Sequence, residues 1–273
     1  MPDLPPLCLN RIARPQLPLA EFLRFTADLG IKYVELRNDL ANVGILDELP
    51  SDSVQTAFSN TGIKALTINA LYPFEDARAL DRNLEKLAGL ITEAKRVDCP
   101  YIVLCPLNEG GDPRNPAQKA DELVAALNAY GSLFQEARIT GLIEPLGFSV
   151  SALRTKSAGL AGIEKCNHPG AYKLLHDTFH HYLSGETDFF PEETALIHVS
   201  GVLPGKKTPD LTDADRVLVT ENDILDNRGQ VATLLKSGST APFSFEPFSP
   251  QVQNLPSHDL QTQIKQSIEY LFS

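Results

Sequence analysis

Basic residues are scarce in this sequence: 24 Lys and Arg stand against 35 Asp and Glu, a formal net charge of −11 over 273 residues. A chain that grips nucleic acid neutralises phosphates with Lys and Arg. This balance therefore argues against a nucleic-acid partner and favours a neutral small molecule such as a sugar or polyol. There are only four cysteines, Cys8, Cys99, Cys105 and Cys166, and none shows the paired spacing of zinc knuckles or ribbons. Cys8, Cys99 and Cys105 lie in or beside apolar stretches, which suits reduced, buried thiols. No apolar run reaches membrane-spanning length, and MPDLPPLCLNRIARP lacks the basic-then-apolar order of a signal peptide. The expectation is a cytoplasmic protein with no membrane partner.

A Ser/Gly-rich linker is also missing, so residues 1–273 read as one domain. What recurs instead is a short apolar run followed by a longer helical stretch. Eight runs have strand length: residues 7–12, 33–37, 64–70, 101–107, 141–146, 172–177, 196–201 and 243–248. Their near-continuous apolar character fits parallel strands covered on both faces. Between them, segments such as 18–30, 76–97, 117–139 and 258–272 place apolar residues at helical spacing. Eight strand–helix units in this length predict an α/β fold, a (β/α)8 TIM barrel. An open doubly wound sheet would usually carry a glycine-rich phosphate turn after its first strand, and LCLNRIARPQ has none.

In such a barrel the functional side chains project from the C-terminal strand ends. There the fifth strand offers Glu144, the sixth Asp177, the seventh His198 and the eighth Glu246, each interrupting an apolar run. Three converging carboxylates are costly unless paired or bound to a cation. Together with an imidazole they suit one divalent ion of the Mn, Zn, Co or Mg kind. Pro145 and Pro247 follow the two glutamates and hold them in extended geometry up to the turn. In KLLHDTFHHYLSG, Asp177 and His180 are read as functional. His176 alternates with Asp177 and is expected to face the helices. His181 is expected in a solvated loop, and His168 and His258 at loop or cap positions.

The motifs IEPLG, HDTFH, IHVSG and FSFEPF, in this order, resemble those of the xylose isomerase-like TIM barrel family, which includes sugar isomerases and epimerases, inosose dehydratases and apurinic endonucleases. The resemblance covers nearly the whole chain. It implies that Glu144, Asp177, His198 and Glu246 are metal ligands and that His180 contacts substrate. The stretches LCLNRIA, GIKYVELRND, LTINALYPF and LTDADRV narrow the likeness to the inosose isomerases. On that likeness Asn10 and Arg216 also contact substrate; as a plain reading, Arg216 is equally a loop anchor paired with Asp213 or Asp215. Val199, Ser200 and Gly201 after the histidine, and VLVTEND after the arginine, depart from the family pattern in loops that shape the pocket.

The activity so implied moves a carbonyl between adjacent carbons of 2-keto-myo-inositol, giving 1-keto-D-chiro-inositol in inositol catabolism. It proceeds through an enediolate, with Glu144 and Glu246 trading the roles of base and acid. Alternatives on the same scaffold are an inosose dehydratase-like lyase, a ketose 3-epimerase and a non-catalytic polyol-binding barrel. A homo-oligomer is compatible with all of them.

Overall fold

The computed structural model describes residues 4–41 and 43–273. Eight parallel strands close into one barrel in chain order: β1 (Leu7–Asn10), β2 (Tyr33–Arg37), β3 (Lys64–Leu71), β4 (Tyr101–Leu104), β5 (Thr140–Ile143), β6 (Tyr172–Asp177), β7 (Thr194–Val199) and β8 (Phe243–Phe245). The helices are α1 (Leu19–Asp28), α2 (Ser51–Thr61), α3 (Leu80–Arg96), α4 (Pro116–Ala137), α5 (Lys156–Lys165), α6 (Thr178–Ser184), α7 (Asn227–Lys236), α8 (Pro250–Gln253) and α9 (Ser257–Phe272). Among the described residues no helix is long and apolar enough to cross a membrane.

The eight expected strands are all present, but several end earlier than their apolar runs. The runs 7–12, 101–107, 141–146 and 243–248 stop as strands at Asn10, Leu104, Ile143 and Phe245. Pro106, Pro145 and Pro247 carry no N–H, so they cannot continue the ladder. At Asn10 the side chain instead accepts from the Ile12 N–H and starts a 3-10 turn. Glu144 and Glu246 still add one ladder bond each, donating their N–H to Leu104 O at 3.1 Å and Val199 O at 3.0 Å. The expected 76–97 helix begins only at Leu80, after a 3-10 turn over Ala77–Ala79 capped by Asp76.

Two apolar layers hold the barrel. The larger lies between strands and helices and includes Leu9, Val34, Ile143, Ile197, Phe243 and Phe245. The smaller fills the barrel interior with Cys8, Leu66, Ala70, Val103, Leu142, Leu175 and Leu196. All four cysteines are free.

The chain after β7 forms no α-helix until α7. It returns through two 3-10 turns and a two-bond bridge between Gly201 and Val217, with N–H···O distances of 2.7 and 2.8 Å. A Cβ at Gly201 would lie 2.9 Å from Leu218 O, so glycine lets the two backbones meet. That return brings Arg216 back over the strand ends.

Candidate metal centre

Side chains of a strand alternate between faces. Leu142, Leu175 and Leu196 point into the barrel, so Glu144, Asp177 and His198, two residues further on, point inward one layer higher. Ser244 and Glu246 follow the same alternation on β8, and Cys8 with Asn10 on β1. On β2 the inward positions are Glu35 and Arg37. The register sets Asp177 beside His198, His198 beside Ser244, and Asn10 beside Glu35. One polar layer thus sits on the apolar plug.

Within this layer each candidate ligand has one atom occupied and one turned inward. Asp177 Oδ1 caps α6, accepting N–H bonds from Phe179 at 2.8 Å and His180 at 3.0 Å. Glu246 Oε1 accepts from Asn10 at 3.0 Å and Arg37 at 2.9 Å. Glu144 Oε2 accepts the Cys105 thiol at 3.2 Å. His198 Nε2 lies 3.0 Å from Glu35 Oε2. Glu35 is itself held by Thr67 at 2.7 Å, Asn10 at 3.2 Å and a short bond from the Ser244 hydroxyl.

The inward atoms gather. His198 Nδ1 lies 3.0 Å from Glu144 Oε1, 3.1 Å from Glu246 Oε2 and 3.6 Å from Asp177 Oδ2. One ligand atom from each of the four residues falls within 4.8 Å of the others. Metal bonds of about 2.0–2.2 Å set neighbouring ligands roughly 3.0–3.5 Å apart, close to the three distances from His198 Nδ1, and the donor set suits a divalent ion.

The charges point the same way. Glu35, Glu144, Asp177 and Glu246 are all buried, and two buried guanidinium groups, Arg37 and Arg216, face them. Arg216 donates to Asp177 Oδ2 at 2.6 Å and Glu246 Oε2 at 2.8 Å, and Arg37 donates to Glu246 Oε1. Four carboxylates against two guanidinium groups leave a negative excess, which a proton on His198 or a metal ion in its place would offset. Burial alone would raise the Glu246 carboxyl, but His198, Arg216 and Arg37 outweigh it and bring it down to about 2. Asp177 is likewise held well below the carboxylate range, its burial outweighed by Arg216 and His180. Burial would lower the His198 imidazole, yet Glu246, Glu35 and Glu144 push it well up.

Above this layer opens a cavity of about 310 Å³. Glu144 and Glu246 line it, with Arg37, Cys105, His180 and Arg216, whereas Asp177 and His198 lie beneath its floor. Phe248 forms part of the wall, with the Arg37 and Arg216 guanidinium carbons 5.1 and 4.7 Å from its ring centre. His180 is buried between Phe148 and Phe179, edge-on at 5.2 Å to each, and its Nδ1 has no protein partner.

Of the other expected contacts, Arg216 meets both of its readings. It reaches the cavity, and its Nη1 also donates to Asp213 at 3.2 Å. Asn10 is fully buried outside the cavity lining, its amide joined to Glu35 and Glu246. His176 faces the helices as expected, between Lys156 Nζ at 2.9 Å and Gln230 at 3.0 Å. His181 does not sit in a solvated loop: it is buried on α6, 4.7 Å from the His176 and Phe189 ring centres. The helix begun by Asp177 turns it inward.

Glu35, Arg37 and Cys105 are among the site residues that sequence reasoning left unassigned. Glu35 and Arg37 carry the same signal as Glu144, a charge at alternate positions inside an apolar strand, YVELR. Cys105 gave no such signal, because a thiol does not interrupt an apolar run.

The family model described as "Xylose isomerase-like TIM barrel" matches residues 23–273. Among solved structures, a xylose isomerase domain containing protein from Salmonella typhimurium LT2 is 32% identical, with 98% of this chain and 97% of that one covered at a TM-score of 0.90. The IolI protein, solved with a binding zinc atom, is 20% identical over 98% and 99% of the two chains at a TM-score of 0.86. D-psicose 3-epimerase from Clostridium cellulolyticum H10 is 12% identical over 97% of each chain at a TM-score of 0.74. A search of curated protein sequences gives no match. The strand-end motifs, the closed barrel and these matches agree: the chain belongs to the xylose isomerase-like TIM barrel family.

Proposed function

We propose that Glu144, Asp177, His198 and Glu246 hold one divalent metal ion and that the protein is a metal-dependent isomerase of keto-inositols. It would interconvert 2-keto-myo-inositol and 1-keto-D-chiro-inositol in inositol catabolism. The observation that carries this reading is the set of four inward atoms from four residues at the base of a cavity that Arg37, His180 and Arg216 also line. The zinc atom in the IolI structure supports a metal in this fold. When bound, the ion supplies stabilisation of the negative charge that builds on substrate oxygen as a neighbouring C–H proton leaves.

The chain's own residues divide the remaining work. Glu144 and Glu246 are the pair that reaches the cavity, so they are the proton carriers, while Asp177 and His198 are supporting ligands. Their parts are unequal. Glu144 Oε2 meets only the weak thiol donor of Cys105 and takes the first proton. Glu246 accepts from Arg37, Asn10 and Arg216, which favour its ionised form. It therefore first takes the proton of the hydroxyl that becomes the carbonyl and then delivers it to the adjacent carbon, while Glu144 passes its proton to the former carbonyl oxygen. His180 and Arg216 steady substrate oxygens at the wall.

The test is turnover of a small panel of inososes and ketoses by metal-stripped protein reloaded with Mn²⁺, Co²⁺ or Zn²⁺, with products followed in D₂O. Metal-dependent isomerisation of an inosose with deuterium entering at carbon is the expected result. A conjugated, absorbing product would indicate the lyase instead, and inversion at C3 of a ketose the epimerase. Saturable polyol binding without turnover would leave a non-catalytic barrel.

A further inference from the structure

Arg216 is fixed on every side. Its Nε donates to Ser200 at 2.9 Å, its Nη1 to Asp213, and its guanidinium carbon lies 5.2 Å from the Phe179 ring centre and 4.7 Å from that of Phe248. Its Nη2 sits between Asp177 Oδ2 and Glu246 Oε2, at 2.6 and 2.8 Å. These are the same two oxygens that the ligand arrangement leaves for a metal. Asp177 Oδ1 is taken by the α6 cap, and Glu246 Oε1 by Asn10 and Arg37.

We infer that Arg216 and the divalent ion share Asp177 Oδ2 and Glu246 Oε2, so that Arg216 stands in for the cation when none is bound and limits how tightly one is held. The inference rests on the metal reading above and adds a role for this arginine that is separate from substrate contact. The physical reason is direct. A buried carboxylate pair without a cation is costly, and Arg216 keeps the two side chains together. A metal arriving at the same oxygens then meets a positive charge that cannot swing away, and like charges at such range repel strongly in a buried site. Metal binding is accordingly weaker and more exchangeable than four such ligands would otherwise give.

The experiment measures Zn²⁺ affinity of the full chain directly, by competition with a chromophoric chelator, for wild type, Arg216→Met and Arg216→Lys. Thermal unfolding with and without Zn²⁺ is recorded alongside. Arg216→Met is expected to bind Zn²⁺ about tenfold more tightly than wild type or better. Its metal-free midpoint should fall, and Zn²⁺ should raise that midpoint by more than it does in wild type. Arg216→Lys, which keeps a charge but loses the fork, should fall between the two. Should Arg216→Met not fold, Arg216→Lys carries the comparison. Tighter binding by the variants over a wild type that takes up no measurable Zn²⁺ supports the inference in its strongest form. Equal or weaker binding by a folded variant, with wild type binding normally, overturns this inference and leaves the proposed metal site standing. Failure of all three proteins to bind Zn²⁺ overturns both.

Discussion

His198 on β7 presents Nε2 to Glu35 Oε2 on β2 at 3.0 Å. Glu35 is fully buried and held ionised, because burial, which would raise it, is outweighed by His198 and Ser244. An ionised carboxylate only accepts, so Nε2 carries hydrogen and Nδ1 is the atom left for the ligand cluster. Glu35→Gln removes that constraint while keeping size. Expected is a roughly 10–100-fold loss of metal affinity with little change in circular dichroism. Unchanged affinity, measured by chelator competition, would detach Glu35 from the site.

Glu144→Gln and Glu246→Gln separate chemistry from folding. Each keeps volume and one oxygen but loses a carboxylate proposed to carry a proton. Turnover should fall by about 10²–10⁴ for Glu144→Gln. Glu246→Gln should abolish turnover with the fold retained. Normal activity in either protein would remove that residue from the proposed mechanism.

Cys105 touches Glu144, the proposed proton carrier, and the cavity together. Burial and the neighbouring Glu144 push its thiol well up, so it stays a donor at neutral pH. Cys105→Ser keeps a donor at the same place and should retain kcat. Cys105→Ala should lower kcat by about two- to tenfold, the value of one hydrogen bond, with KM little changed. Equal kcat values for the two variants would leave the thiol a mere filler.

Much of this arrangement was legible from residue order, and the reason is geometric. Apolar runs of strand length spaced by amphipathic stretches specify the barrel, and a charge at the end of such a run must sit at its mouth, as Glu144, Asp177, His198 and Glu246 do. Lateral pairings were harder to read. Nothing in YVELR tells that Glu35 meets a histidine 163 residues away, because barrel register decides which inward positions share a level. His181 was misplaced for a similar reason: the cap formed by Asp177 starts a helix where polar residues suggested an open loop.

The acid limb of stability follows from that misplaced histidine. Burial, then Lys156, push His181 down to about 4. Lys156 is itself brought down to about 8 by burial. The folded pKa of His181 is depressed, so the unfolded chain takes its proton first. The contribution is full above about 6.5 and is lost as pH falls toward the folded value. In urea titrations between pH 7 and 4, wild type should lose stability more steeply than His181→Gln. Parallel curves would count against a buried neutral ring.

Gly147, just after IEPL, packs against α6. A Cβ there would lie 2.2 Å from His180 O and 2.8 Å from the Leu183 Cβ. Backbone cannot yield as a side-chain tip can, so Gly147→Ala should cost on the order of 2 kcal/mol. It should also raise KM by shifting His180. A wild-type-like thermal midpoint would show that α6 can slide.

The Asn10 amide joins Glu35 on β2 to Glu246 beyond β8, across the seam where β1 meets β8. All four candidate ligands come from Glu144 onward, yet Asn10, Glu35 and Arg37 belong to the first 37 residues. A half-made chain therefore has either the braces or the claws, never both. Ion uptake should ripen only when the two ends of the polypeptide lock together, which makes it a chemical signal that the ring is complete.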